Sequence, residues 1–374
     1  MNFDLDQEQE LLSSTAASFV KRASPPGRLR KLRDDPLGYS PDLWRQMAEM
    51  GWLGMPFLES AGGLGRSFVD VSLVLEHLGA SLVPEPFVPS VILAGLAIAR
   101  AGGPAQWQQF LGPLIEGRTT LALAHDERDS RFSANQISTR AERDGDGWRL
   151  TGQKVFVLNG HAADLLVVSA RSSVGLSLFA VDRGAQGLKV TPLSTIDGRR
   201  AALIDLEGVR VGAERLLGQE GSALPVLEAV LDLGAAAACA EGVGVARTML
   251  QMTLDHLKTR EQFHVKIGSF QALQHRAVDM FIETELARSI TIAACIKADD
   301  KDPAERRAAT SAAKAQLAVS GRFVAYQAIQ LHGGIGITDE HDIGLYFKRM
   351  QALNTLFGDE DFHNAQFAAL APPP

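Results

Sequence analysis

The sequence has little of what disulfide-linked, metal-binding or nucleic-acid-binding proteins require. Only two cysteines occur in 374 residues, Cys239 and Cys295, and their alanine-rich helical surroundings predict small, buried apolar residues. The nine histidines show no ligand spacing such as His-x-x-x-His, so no metal site is expected. The formal net charge of −7 lacks the basic surplus of a nucleic-acid binder, so no nucleic-acid partner is expected.

Long apolar runs and the features of a secretion signal are also missing. The chain has no uninterrupted apolar run of about 18 residues, which argues against a membrane span. Its first residues, Met1 to Asp6, are acidic and lack the basic and apolar regions of a signal peptide. We therefore expect a cytoplasmic protein. Hydrophobic residues make up 46% of the chain, enough for a large core and ordinarily for two or three domains.

The first domain, residues 1–118, shows the apolar spacing of helices. Caps are expected at Asp4 or Asp6 and at Ser40, which precedes a proline. The predicted helices cover 3–22, 41–50, 68–82, 89–101 and 107–116.

The second domain, residues 119–217, contains short apolar runs at close intervals with no long helical pattern between them. Asp144-Gly-Asp-Gly147 is a hairpin signal. These patterns predict a compact antiparallel β domain rather than a dinucleotide-binding unit. The predicted strands cover 119–124, 137–143, 148–158, 165–170, 176–182, 188–191 and 201–206.

The third domain, residues 218–374, is helical again. Four long segments joined by short turns predict an antiparallel bundle. They cover 223–258, 270–298, 303–332 and 341–356.

Two stretches of this bundle carry unusual residues. Arg260, Gln262 and Phe263 stand at a break between helices, where a forked arginine donor and a glutamine suit a large anionic ligand with a flat ring. A helix–helix corner with solvated charge is the alternative. The second stretch, 330–340, follows a long helix and carries three glycines, which let a ligand approach the backbone closely.

Together the two stretches resemble the signatures of the acyl-CoA dehydrogenase family, Arg-x-Gln-Phe-Gly…Phe-Gln-x-x-Gln-His and Gln-x-x-Gly-Gly-x-Gly-x-Thr. The chain matches both, except that His264 stands where the family usually has glycine. The resemblance covers nearly the whole chain. It implies an α+β multidomain fold with an N-terminal helical domain, a middle antiparallel β domain and a C-terminal four-helix bundle.

The resemblance also implies a chemistry. In the family a carboxylate removes the α-proton of an acyl-CoA thioester while the β-hydride moves to a flavin, FAD. Four subunits assemble through their C-terminal bundles, and each flavin lies across a subunit boundary. Electrons commonly pass to an electron-transfer flavoprotein. Fatty acid or sterol catabolism is the implied setting.

Residues of both signatures and of the β domain match the family's flavin contacts. Those implied to reach a neighbour's flavin are Arg260, Gln262, Phe263 and Gln271. Gln330, Gly333 and Gly334 match the adenine or pyrophosphate end. In the β domain, Leu123 lies in the strand that lines the flavin ring, Ser130 matches a phosphate-side serine, and Phe156 keeps an aromatic wall. Leu158 departs from the family because it cannot donate a hydroxyl contact, and an ordinary apolar strand is the alternative for these positions.

The catalytic carboxylate is missing at both positions where the family places it. Glycine stands at each, Gly358 and Gly234. Asp359 could serve instead if the loop path changes, and Glu241 lies on the same helix face as Gly234, about 10 Å along. Alternatively, Glu241 pairs with a buried arginine, Asp359 belongs to a solvated loop, and a partner subunit supplies the base.

Some family members form α2β2 assemblies in which only one subunit type carries the base. We therefore expect FAD-dependent α,β-dehydrogenation of an acyl-CoA by an assembly containing this chain, as a homotetramer or as an α2β2 heterotetramer with a homologous subunit. The alternatives are a catalytically silent partner subunit and a flavin-free structural subunit. The backbone N–H of Gly358 is expected to remain free for the thioester oxygen. The run Gly234 to Ala238 predicts room for a bulky acyl group, or else simple helix packing.

Overall fold

The computed structural model describes residues 4–370. The chain divides into two compact units. The helical unit comprises Met1–Lys31, Phe68–Val83 and Ala235–Pro374, and the mixed unit comprises Leu32–Ser67 and Pro84–Gly234.

Most of the predicted helical segments are helical in the described residues, whereas Gly27–Leu32, Pro104–Gln106 and Glu360–Leu370 were not predicted. The α-helices are α1 (Gln7–Ala23), α2 (Gly27–Leu32), α3 (Pro41–Glu49), α4 (Phe68–Ala80), α5 (Leu96–Ala101), α6 (Pro104–Gln106), α7 (Gly112–Ile115), α8 (Leu224–Thr259), α9 (Gln271–Lys297), α10 (Pro303–His332), α11 (Ile343–Thr355) and α12 (Glu360–Leu370). Two π-helical segments, Val88–Gly95 and Trp107–Leu111, precede α5 and α7. Residue 3, the predicted start of the first helix, lies outside the described residues.

The strands lie in one large sheet and one short hairpin. They are β1 (Leu121–Ala124), β2 (Arg140–Asp144), β3 (Gly147–Leu158), β4 (Leu165–Arg171), β5 (Leu176–Asp182), β6 (Leu188–Ser194), β7 (Arg200–Val211), β8 (Leu216–Leu217), β9 (Glu261–Gln262) and β10 (Val265–Lys266).

Local sequence chemistry fixes several helix starts. The Asp6 side chain accepts from the Gln9 N–H at 2.9 Å, and the Gln9 side chain accepts from the Asp6 N–H at 3.2 Å. This reciprocal capping box satisfies two backbone donors that the first turn leaves unpaired. The Ser40 hydroxyl caps α3 by accepting from the Leu43 N–H at 3.3 Å, with Pro41 at the first helical position. Both caps were predicted, with Asp6 chosen over Asp4.

The large sheet is mainly antiparallel, as predicted, but it also contains parallel pairs. Its strand order is β6-β7-β3-β2-β4-β5-β8, with β1 pairing to β4. The predicted hairpin is present, with Asp144 opposite Gly147. However, β1 runs parallel to β4, with Leu121 opposite Leu165. The intervening β2–β3 hairpin supplies the crossover that parallel strands require. Both strands read as almost continuous apolar runs, typical of buried parallel strands.

The bundle contains one helix more than predicted. α12 follows α11 after a short loop, and its only buried residue is His363. Because α12 carries almost no buried apolar stripe, the helical period gives no signal there.

Helix α8 is long and apolar enough, by length and composition, to cross a membrane, but 89% of its most apolar window is buried. A core helix passes the same test, so packing accounts for its composition. Cys239 on α8 and Cys295 on α9 are free and buried, as expected for small apolar residues.

Helices α4 and α8 touch through their backbones. A Cβ atom added at Gly244 would overlap the carbonyl oxygen of Glu76, and one added at Gly79 would overlap that of Glu241. Only glycine permits this separation of the two helix axes.

We expect Gly244→Ala to lower the free energy of unfolding by about 1–3 kcal/mol, because the methyl group forces α4 and α8 apart. Helix propensity alone would give the opposite sign, with alanine about 1 kcal/mol better than glycine. Urea unfolding of the full chain measures the difference. Gly27→Ala is the matched control, since nothing lies within 4 Å of its added Cβ. Equal effects of the two variants would contradict the contact.

Candidate active site

The Arg260 stretch forms a tight hairpin just after α8. Gln262 in β9 pairs with Val265 in β10. The two turn residues, Phe263 and His264, adopt left-handed backbones with φ of 53° and 66°. A two-residue hairpin of this kind needs positive φ at both central positions, which glycine provides without strain. The departure at His264 therefore places strain of about 1–3 kcal/mol at this turn.

The hairpin and the start of α9 present their side chains outward. Arg260, Gln262 and Gln271 are exposed, and Phe263 is 83% exposed. An outward Arg–Gln–Phe set is available to a ligand or subunit docking from outside. Phe281, further along α9, is 55% exposed as well.

The glycine turn after α10 is open. Gly333 has φ of 64° and ψ of −146°, a combination that only glycine adopts readily. Gly333 and Gly334 are exposed, and nothing lies within 4 Å of a Cβ added to either. A cleft of about 760 Å³ begins beside this turn, lined among others by Gln330, Arg276 and Lys348. The turn thus offers uncovered backbone, an amide and two cations in one region of the helical unit.

Three histidine rings, from α8, α10 and the segment before α11, contact one another beside this turn. The His332 ring stacks on His256 of α8 at 4.5 Å and lies 4.7 Å from the ring of His341. His332 Nδ1 donates to the Ala328 carbonyl at 2.8 Å, which fixes its tautomer. Burial, and then the nearby histidines, lower the pKa of His332 to about 4. The cluster is therefore neutral at its centre near pH 7.

The β-domain positions lie in the mixed unit. Leu123 is buried on β1. Phe156 is 43% exposed with φ of 51°, at a bulge where β3 slips against β7 between Lys154 and Val157. The bulge turns the Phe156 ring outward. Leu158 is half-buried two residues on.

Ser130 is buried, and its hydroxyl already makes two hydrogen bonds. Its hydroxyl donates to the Glu127 carbonyl at 2.9 Å and accepts from the Glu127 N–H at 3.0 Å. This turn must open before Ser130 can contact a phosphate.

A buried charge that the sequence patterns did not reveal lies beside this turn. Lys154 is 0% exposed, and its Nζ donates to Glu127 at 2.7 Å and to Ser169 at 3.0 Å. Desolvation lowers the pKa of Lys154 to about 8, while Glu127 opposes that effect. The only signal in the sequence was a lysine within the predicted strand 148–158. The pair is 27 residues apart in sequence, so no local pattern links its members.

The carboxylates of both candidate bases, Glu241 and Asp359, already accept hydrogen bonds within the chain. Glu241 accepts from Arg349 Nε at 2.8 Å and from its Nη2 at 2.7 Å, and both side chains are buried. This is the arginine pair that the sequence offered as the alternative to catalysis. Asp359 accepts from the Phe362 N–H at 2.9 Å and so caps α12.

The backbone N–H of Gly358 is not free, contrary to the expectation from the sequence. Gly358 is buried, and its N–H donates to the Thr355 carbonyl at 3.4 Å, so the donor expected for a thioester oxygen is taken. Ala235, Ala236, Ala237 and Ala238 are at most 2% exposed, so their small size serves packing in α8.

Sequence models of the acyl-CoA dehydrogenase N-terminal, middle and C-terminal domains match residues 6–118, 122–209 and 223–370. The chain belongs to the acyl-CoA dehydrogenase family. This confirms the predicted family, fold and enzyme class.

Several family members are similar over almost their full length. Acyl-CoA dehydrogenase FadE12 of Mycobacterium tuberculosis is 31% identical over 353 residues, covering 91% of this chain and 90% of that protein. The Mycobacterium tuberculosis ChsE4-ChsE5 complex superposes with a TM-score of 0.91 at 28% identity, with 100% of both chains covered. A Tcur3481-Tcur3483 steroid ACAD variant gives a TM-score of 0.88 at 31% identity, with 97% of both chains covered.

We expect Glu241→Gln to cost about 3–5 kcal/mol of unfolding free energy, because it leaves the buried Arg349 without a carboxylate. Denaturant unfolding measures this loss. Glu360→Gln is the matched control, since the partly exposed Arg322–Glu360 pair (3.0 Å) should contribute about 0–1 kcal/mol. A Glu241→Gln protein as stable as the control would contradict a structural role for Glu241.

Acid should destabilise the helical unit through His332. Its folded pKa of about 4 lies below the usual 6.5, so the unfolded chain binds the proton more readily. The stability it contributes is complete above pH 6.5 and falls by about 1.4 kcal/mol per pH unit towards pH 4. Urea midpoints between pH 7.5 and 4.5 measure the slope. His332→Gln should flatten it, whereas His275→Gln on the exposed face of α9 should not. Equal slopes would refute the assignment.

Proposed function

We propose that this chain is the base-lacking subunit of a heteromeric, FAD-dependent acyl-CoA dehydrogenase. The observation that carries the proposal is that no free carboxylate stands at either family position of the base. Glycine occupies 234 and 358, Glu241 is held by Arg349, and Asp359 caps a helix. A positioned general base typically contributes about 10²- to 10⁴-fold in rate, so the chain alone is expected to be nearly inactive.

The residues of the two C-terminal signatures that are expected to contact the flavin are exposed, in contrast. FAD supplies the hydride acceptor for the oxidation when it is bound. Exposed Arg260 would pair with its phosphates and Gln262 or Gln271 with polar ring or base edges. The uncovered backbone at Gly333 and Gly334 fits close approach by a pyrophosphate or adenine. These residues face outward, which suits a flavin shared with a partner subunit.

An exposed apolar stripe on α9 supports assembly. Val278, Phe281, Ile282 and Leu286 recur at helical spacing and are each 48–55% exposed. Adjacent large apolar side chains left open on one helix mark an interface. A homologous subunit in an α2β2 tetramer is the proposed occupant, with an electron-transfer flavoprotein as the electron acceptor.

Two structural relatives favour the heteromeric form. Both are named by two components, ChsE4-ChsE5 and Tcur3481-Tcur3483. The second is described as a steroid ACAD, so sterol-like CoA esters are the first substrates to test beside straight-chain ones. A homo-oligomer that uses Asp359 as its base is the competing proposal.

We expect the chain expressed alone to show almost no acyl-CoA oxidation, and activity to appear on co-expression with a homologous dehydrogenase encoded beside it. Asp359→Asn should leave that activity unchanged. Dye reduction and flavin bleaching with sterol-like and octanoyl-CoA esters measure it. Full turnover by the chain alone, abolished by Asp359→Asn, would establish the homo-oligomeric alternative. A flavin-free assembly would refute the cofactor proposal.

Arg260→Gln should weaken FAD binding by about 10- to 100-fold, since a hydrogen bond to a charged group is worth about 1.5–3 kcal/mol. Flavin absorbance retained by the co-expressed assembly after gel filtration reports it. Lys258→Gln is the matched control, because it removes an equal exposed charge two residues away. The assignment fails if both variants retain flavin equally.

A further inference from the structure

The loop between α11 and α12, Leu356 to Asp359, has its surrounding backbone groups paired. Leu356 N–H donates to Ala352, and Gly358 N–H to Thr355. The buried Lys314 of α10 donates to the Leu353 carbonyl at 2.6 Å. A cation at the last carbonyls of a helix stabilises its end. The loop is thus held from α10 as well as from its own helices.

His363 of α12 completes this arrangement. It is 4% exposed, and its Nε2 lies 3.1 Å from the Phe357 carbonyl, while Nδ1 lies 3.2 Å from the Ser311 hydroxyl. A carbonyl only accepts, so Nε2 carries the hydrogen and Nδ1 accepts from Ser311. Burial, and then the charge of Lys314, lower the pKa of His363 to about 4. The neutral ring is therefore fixed in one tautomer.

The same ring fills the space beside Gly358. A Cβ added there would lie 2.5 Å from His363 Nε2 and 2.5 Å from Phe362 Cδ1. The φ of Gly358 is also +124°, which side-chain-bearing residues rarely adopt. A side chain at 358 and the hydrogen bond from His363 to Phe357 exclude one another.

We infer that His363 closes position 358 against any side chain, so that this loop seals the family's base site. The inference rests on the proposed function and deepens it. The chain does not merely lack a carboxylate at 358, because the His363 imidazole occupies the space where a side chain would begin. His363 acts as a positioning residue, and restoring a base at 358 requires its removal together with a shift of the Phe362 ring.

A double-mutant cycle on the full chain tests the closure. Gly358→Ala and His363→Ala should each lower the urea midpoint, and the double variant should lose clearly less than the sum. Gly333→Ala is the control, since φ is +64° there with nothing within 4 Å, so its cost should not depend on His363. If His363→Ala does not fold, His363→Asn replaces it. A cost of Gly358→Ala that is the same with and without His363 overturns the inference.

A chemical readout separates the closure from the proposed function. Deuterium uptake from D2O at the α-carbon of octanoyl-CoA, followed by mass spectrometry, reports a working base. The G358E/H363A double variant should exchange about 10²-fold faster than G358E alone. Equal, rapid exchange by both would overturn the closure. No exchange by either, with the stability coupling intact, would support the closure and count against an acyl-CoA site in this chain.

Discussion

The buried ion pair between Glu241 and Arg349 governs how the helical unit packs. It joins α8 to α11, and α4 lies against the same point because Gly79 leaves no side chain between it and Glu241. Two charges removed from water are tolerated only when their geometry and hydrogen bonding are good, and the two-pronged contact supplies both. The glycines of α4 and α8 thus serve the ion pair, because they permit the close approach that keeps it dry. Its chemical consequence is that the carboxylate on this stretch of α8 is committed to structure.

Among the described residues, four of the eight non-glycine residues with positive φ lie in the stretches that resemble the family's flavin and base sites. Phe156, Phe263, His264 and Phe357 have positive φ without being glycine. Each sits where a side chain is turned outward or a loop is held from a neighbouring helix. Such conformations cost about 1–3 kcal/mol each and persist only where surrounding contacts impose them. At Phe357 the contact is the hydrogen bond from His363, and at Phe263 it is the short β9–β10 hairpin.

The sequence was informative where a short-range rule applies. The caps at Asp6 and Ser40 and the β2–β3 hairpin follow from residues within four positions of one another. Sequence patterns did not predict contacts between residues that lie far apart in the chain. The parallel pairing of β1 with β4, the Lys154–Glu127 pair and the contact of His363 with Ser311 join residues 27 to 52 positions apart. The family motifs predict flavin contacts and base positions, but they do not predict that Gly358 is enclosed.

The predicted flavin contacts and the residues at the base positions differ in burial, which favours a site shared between two subunits. Residues of the two C-terminal signatures that are expected to contact a flavin are exposed, so a partner can set their geometry. Residues at the base positions are buried, and their polar groups are satisfied within the chain. Opening the second group would leave Arg349 or the Phe357 carbonyl unpaired in the interior, which typically costs more than a few kcal/mol for a charge and about 1–3 kcal/mol for a neutral group. A binding role requires no such opening. The energetics of the isolated chain therefore favour completing another subunit's site over performing proton abstraction in its own.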